Sequence, residues 1–141
     1  MGQTTSVRYP ILDRLRGGEL TLLVERGGSL IFASDRPGIK SLYRAVHEHL
    51  ELFEGSDVAN KAVGIAAAYL LVYARAGRVY APVMGKDAQR VLKEAGIQVE
   101  TESLVKQIDD DPNEPYPMEA LAREAGGPAR FVEELRARFT P

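Results

Sequence analysis

The sequence contains no cysteine and no tryptophan. Without a thiol there is no disulfide, no thiolate nucleophile and no cysteine-ligated metal, and nothing points to an oxidising compartment. Charge of either sign is barely in excess. The 18 basic and 20 acidic residues leave a formal net charge of -2, which removes the general attraction to nucleic acid or an anionic membrane, so neither is expected as a partner. Histidine is scarce as well: only His47 and His49 occur. Two positions apart on a helix, they project about 200° from each other and cannot grip one metal ion. Long apolar runs are missing too. The longest uncharged stretch, Ala62 to Ala74, has 13 residues, enough for a helix inside a protein but short of the roughly 20 that cross a bilayer. No basic stretch followed by an apolar run opens the chain, so no secretory signal is read and a cytoplasmic protein is expected. Met1–Ser6 fits the short myristoylation pattern, but no polybasic patch supplies a second membrane signal, and an ordinary chain end is the expectation.

What is present is an ordinary globular composition, 45% apolar and 27% charged over 141 residues, which fits one domain with one core. Residues 1–111 read as an α/β core and 112–141 as a C-terminal helical extension of it. Ile11, Leu12 and Leu15 predict a short helix stopped by Gly17-Gly18. Leu20 to Glu25 and Ser29 to Ser34 are apolar segments joined by Arg26-Gly27-Gly28, which predicts a β-hairpin with cover on both faces. After Pro37-Gly38, the stripe Leu42, Val46, His49 and Phe53 predicts an amphipathic helix ending near Gly55. Ser56 and Asp57 are good helix caps, and Val58 to about Ala74 reads as a central helix apolar all the way round. Gly64 and the neighbouring alanines would then let the sheet approach closely. Arg78 to Met84 reads as an inner strand, Lys86 to Ala95 as a helix closed by Gly96, and Ile97 to Thr101 as a half-exposed strand. Helices at Pro117 to Glu124 and Pro128 to Phe139 complete the chain. This order predicts a three-layer α/β/α sandwich around a mixed sheet.

The order of elements resembles that of cytidine deaminase-like folds. Several strings are similar to a family of small prokaryotic proteins of unknown function assigned to that fold: Ser34 with Gly38-Ile39 and Leu42, Asn60-Lys61-Ala62-Val63-Gly64 with Ala66-Ala67-Ala68, Ala95-Gly96-Ile97, and Pro117-Met118-Glu119. The resemblance spans most of the chain. Family members carry Asp-Lys where Asn60-Lys61 stands here, usually an Asn-Arg pair near Asp109-Asp110, and a cysteine at the place of Tyr116. The resemblance implies the fold and a set of positions, and it implies no reaction. Zinc deaminases need a His or Cys and two further Cys around the metal, with a Glu shuttling protons. This chain lacks the ligands, so neither zinc nor any other cofactor is expected.

Lys61 stands out because a cation in the first turn of a helix opposes the macrodipole. Asp57, four residues earlier, would pair with it on the same face. Alternatively, Asn60 and Lys61 at a helix start could hold a phosphate or carboxylate. Gly85-Lys86 follows the inner strand, where parallel sheets bind ligands, and Glu119 could close over the same pocket. Asp109 to Asp111 reads as an exposed acidic turn. Three functions follow: a small anionic, nucleotide-like ligand held without zinc by Asn60, Lys61, Gly85, Lys86 and Glu119; a metal-independent enzyme using Lys61 or Glu119; or an oligomeric scaffold, with Tyr43, Tyr73, Tyr80 and Phe131 in a homodimer patch.

Overall fold

The computed structural model describes residues 10–139; the Met1–Ser6 pattern lies outside them. Helix α1 (Pro10–Gly17) buries Ile11, Leu12 and Leu15 on one stripe. Strands β1 (Leu22–Arg26) and β2 (Ser29–Ser34) form the expected antiparallel hairpin. Its turn places Gly27 at φ +59° and Gly28 at φ +81°, the two positive values that match the twist of a two-residue hairpin loop. The hairpin is unevenly covered: β1 is buried from Leu22 to Glu25, whereas β2, at the sheet edge, is partly exposed.

The amphipathic helix divides at His49 into α2 (Ile39–Glu48) and α3 (Leu50–Phe53), where the backbone leaves the helical region at φ −131°, ψ 39°. The His49 ring packs on Phe32 with centroids 4.9 Å apart, and His47 stacks on Tyr43 at 5.7 Å.

The next segment departs from expectation. Residues 58–63 form no helix; they make β3 (Asp57–Asn60) and β4 (Ala62–Val63), and the apolar helix α4 runs only over Ile65–Tyr73. Asp57 and Lys61 therefore never share a helix face, and no ion pair joins them. Both strands pair in parallel with β5 (Arg78–Gly85) at one register: Asp57 is opposite Arg78, Ala59 opposite Tyr80, Ala62 opposite Val83. They are one lane of the sheet, broken at Lys61, whose amide turns aside to donate to the Thr21 carbonyl at 3.0 Å. The misreading has a physical origin. Val58 and Ala59 are fully buried, and an apolar run without alternation is as compatible with a doubly covered parallel strand as with a buried helix.

Helix α5 (Lys86–Glu94) connects β5 to β6 (Gln98–Val105), again parallel. Helices α6 (Met118–Ala125) and α7 (Pro128–Phe139) follow. The sheet is thus a mixed, open, six-stranded one with seven helices among the described residues, and β1 antiparallel to both neighbours. On one face α1 covers Leu23, Ala59 and Tyr80. On the other, α4 is the hub: Ile65 to Leu71 are all buried, and α2, α5, α6 and α7 pack around it. Phe131, Val132 and Leu135 of α7 and Met118 and Ala122 of α6 belong to that same core. The aromatic dimer patch does not exist as a surface. Tyr43, Tyr80 and Phe131 are buried in the two cores, and only Tyr73 is exposed, because the three rings supply the apolar area that a sheet of this size needs covered. No helix among the described residues is long and apolar enough to cross a membrane.

Candidate functional site

Three helices begin at one place, and none of them has a capping side chain of its own. Gly38, Gly64 and Pro117 stand at the starts of α2, α4 and α6 and offer no acceptor, which leaves backbone amides to be satisfied from elsewhere. Distant carboxylates supply the bonds. Glu114 accepts from the Ile39 amide of α2. Asp110 accepts from the Glu119 amide of α6 at 2.6 Å and from Ala120 at 3.4 Å. Glu119 itself accepts from the Ala66 amide of α4 at 3.3 Å. The acidic turn expected at Asp109 to Asp111 therefore has a tertiary role in its middle residue. Asp111 shapes the turn locally, accepting from the Asn113 amide at 2.9 Å.

Between these helix starts and the carboxyl end of the β3–β4 lane lies a cavity of about 330 Å³. Its walls come from Thr21 and Leu22 of the hairpin, Ser34, Arg36 to Ile39, Ser41 and Leu42 at the β2–α2 connection, Asn60 to Ala62 and Gly64, Ile108 to Asp111 and Glu114 after β6, and Met118-Glu119. Seven ionisable side chains line it: Arg36 and Lys61 against Asp109, Asp110, Asp111, Glu114 and Glu119.

Glu119 is the buried one, at 4% exposure. Burial pushes its carboxyl up to about 7 from an ordinary 4.5, opposed by the Ala66 and Ile65 amides and by Arg123, and helped by Asp110. Removal from water disfavours the charged form, and the positive end of α4 only partly compensates. Gly64 makes this placement possible. A β-carbon there would run into the Glu119 carboxylate and stand 2.9 Å from Ile108 Cβ, so it is the acid together with the root of Ile108, rather than a closely packed sheet, that requires glycine.

Of the residues anticipated from sequence, Asn60, Lys61 and Glu119 line this cavity together, and Gly85 and Lys86 lie outside its lining. A β-carbon on Gly85 would meet Asp87 Oδ1 at 2.6 Å, and that same oxygen accepts from Ala88 at 2.8 Å; the turn is filled by its own aspartate. Lys61 is exposed at the rim. Asn60 donates through Nδ2 to the Ala62 carbonyl at 3.0 Å, holding the break in the lane. Sequence reasoning missed Arg36, Asp110 and Glu114 as parts of the site. Its available signal was three helix starts without a Ser, Thr, Asp or Asn, a deficit that some distant acid had to meet.

The side chains do not fit the zinc centre of the deaminases. Cysteine is lacking, both histidines pack on aromatic rings outside this cavity, and no group of three or more His, Asp or Glu able to hold a metal occurs among the described residues.

The family model described as "TM1506: Domain of unknown function (DUF1893)" matches residues 11–139. Among solved structures, the crystal structure of a DUF1893 family protein (TM1506) from Thermotoga maritima is similar to this chain, with a TM-score of 0.79 and 24% identity over 99% of this chain and 95% of that one. At that identity the likeness shows the fold alone. No curated protein matches the chain.

Proposed function

This chain belongs to the DUF1893 family, and we propose that it binds, without zinc, a small polar ligand that brings N–H donors or positive charge into the cavity where α2, α4 and α6 begin. One observation carries this reading: a carboxyl group, Glu119, buried in the wall of an open-mouthed cavity of ligand size. Concave sites with a few convergent polar groups and a perturbed acid are where proteins hold small molecules. The charge of the ligand follows from the lining. The Ile39, Ala66, Glu119 and Ala120 amides of the helix starts are already taken by Glu114, Glu119 and Asp110, and acids outnumber bases five to two. That balance favours a donor-rich ligand over the small anionic one anticipated from Asn60, Lys61, Gly85, Lys86 and Glu119. Lys61 and Arg36 remain as cations at the cavity wall.

A second reading is favoured by the titration of Glu119. A carboxyl near 7 is poised to take and return a proton at neutral pH, which is what a general acid–base group needs, so a metal-independent reaction on the bound ligand is proposed with Glu119 in that role. The cytidine deaminase-like assignment also belongs to this proposal. What supports it is the succession of hairpin, helices and parallel β3, β5 and β6, and superposition on solved members of that fold class tests it.

A thermal-shift screen with putrescine, agmatine and adenosine on one side and inorganic phosphate and pyrophosphate on the other tests the binding reading. A ligand at 100 times its dissociation constant adds about 2.7 kcal/mol. The donor-rich compounds are expected to raise Tm. Stabilisation by the inorganic anions alone, or by no compound, would overturn the reading.

A further inference from the structure

The cavity has a neighbour. A second one, of about 600 Å³, lies between β2 and α2 and shares Ser34, Arg36 and Ser41 with the first. Its charge differs. The first has acids in excess, whereas in the second Arg36 and Arg44 stand against Asp35 and Glu48. Arg36 and Arg44 form no ion pair among the described residues. The root of Arg36 is nevertheless fixed. Thr21 Oγ1 donates to its carbonyl at 2.7 Å, its amide donates to Ser34 Oγ at 3.1 Å, and Pro37 follows it. A guanidinium held at its base and left without a partner is suited to a bidentate carboxylate or phosphate.

Resting on the reading of the first cavity given above, we propose that the two cavities form one two-ended site. The donor-rich head of the ligand lies against Glu119, and an anionic tail, carboxylate or phosphate, lies on Arg36 and Arg44. The ligand class is therefore a small molecule with an amine, amidine or amino-substituted ring at one end and an anion at the other. A nucleotide-like molecule is one member of that class and a basic amino acid is another.

Matched pairs that differ by the tail test this by calorimetric titration at pH 7 and low salt: agmatine with L-arginine, putrescine with L-ornithine, and adenosine with AMP. In at least one pair both members are expected to bind, the tailed one at least tenfold tighter. Arg44 is exposed and lines only the second cavity, so Arg44→Ala is expected to abolish that preference while leaving the affinity of the tailless member unchanged. Equal affinities within every pair that binds, or a preference that survives Arg44→Ala, would overturn the two-ended site and leave the first cavity's reading standing. Binding by no member of any pair would overturn both.

Discussion

Replacing Glu119 by glutamine removes the charge that the cavity wall holds out of water and keeps the shape and one acceptor oxygen for the Ala66 amide. The consequence is a change in how stability depends on pH. In the unfolded chain the carboxyl loses its proton near its ordinary 4.5, and in the folded protein it keeps it to about 7. Between those values the native state binds the proton and the unfolded state does not, so stability falls as pH rises, by about 1.4 kcal/mol per pH unit. Across the window this amounts to about 3 kcal/mol, present in full below pH 4.5 and lost by about pH 7. The Glu119→Gln variant has no such proton. Urea denaturation of both proteins from pH 4.5 to 8, with the difference taken at each pH, cancels the other carboxylates. The wild type is expected to lose roughly 3 kcal/mol relative to the variant across this range, with no further divergence above pH 7.5. A difference that stays constant within about 0.5 kcal/mol, or that moves in the opposite direction, refutes the reasoning, because a carboxyl hydrated in the native state would not distinguish the two states.

Lys61→Ala is expected to change stability by less than about 0.5 kcal/mol, since the side chain is exposed at the rim and has no ion pair; a loss above about 2 kcal/mol in a denaturant titration would restore a structural role for it. Gly64→Ala places a β-carbon against Glu119 and Ile108 and is expected to destabilise by about 1–3 kcal/mol, measured the same way, with part of the loss recovered in the Gly64→Ala/Glu119→Ala double variant and the part due to Ile108 remaining. Arg26 bonds the Glu51, Leu52 and Glu54 carbonyls and Ser56 Oγ, closing the end of α3. Arg26→Ala should lower stability by about 1–2 kcal/mol, and faster amide exchange at Gly55 and Ser56 would localise the loss.

The hairpin, α2, the β5–α5–β6 unit and the two C-terminal helices were legible because each has a period or a stop of its own: alternation around Gly27-Gly28, the Leu42–Val46 stripe, Gly96 after α5. The segment around Lys61 was not. Ser56 and Asp57 satisfy the local rules for a helix start, while what decides the structure is non-local, namely the pairing of Val58 and Ala59 with β1 on one side and β5 on the other. Gly64 was read as a place of close approach by the sheet, yet its reason, an acid arriving from 55 residues downstream in sequence together with Ile108, is a tertiary fact. Glu119 was singled out by resemblance and position. Its burial and its raised pKa follow from α4 and α6 meeting, which no local pattern records. Gly85-Lys86 illustrates the reverse case: the right place in a parallel sheet by topology, already filled by Asp87.

Backbone amide NMR of the 15N-labelled protein, titrated with agmatine and with L-arginine, tests the central claim most directly. The account predicts saturable shifts concentrated at Thr21, Asn60, Lys61, Gly64, Ala66, Ile108 and Glu119, extending to Ser34, Arg36 and Arg44 for L-arginine. Shifts confined to other surfaces, or a spectrum unchanged at millimolar ligand, would contradict it.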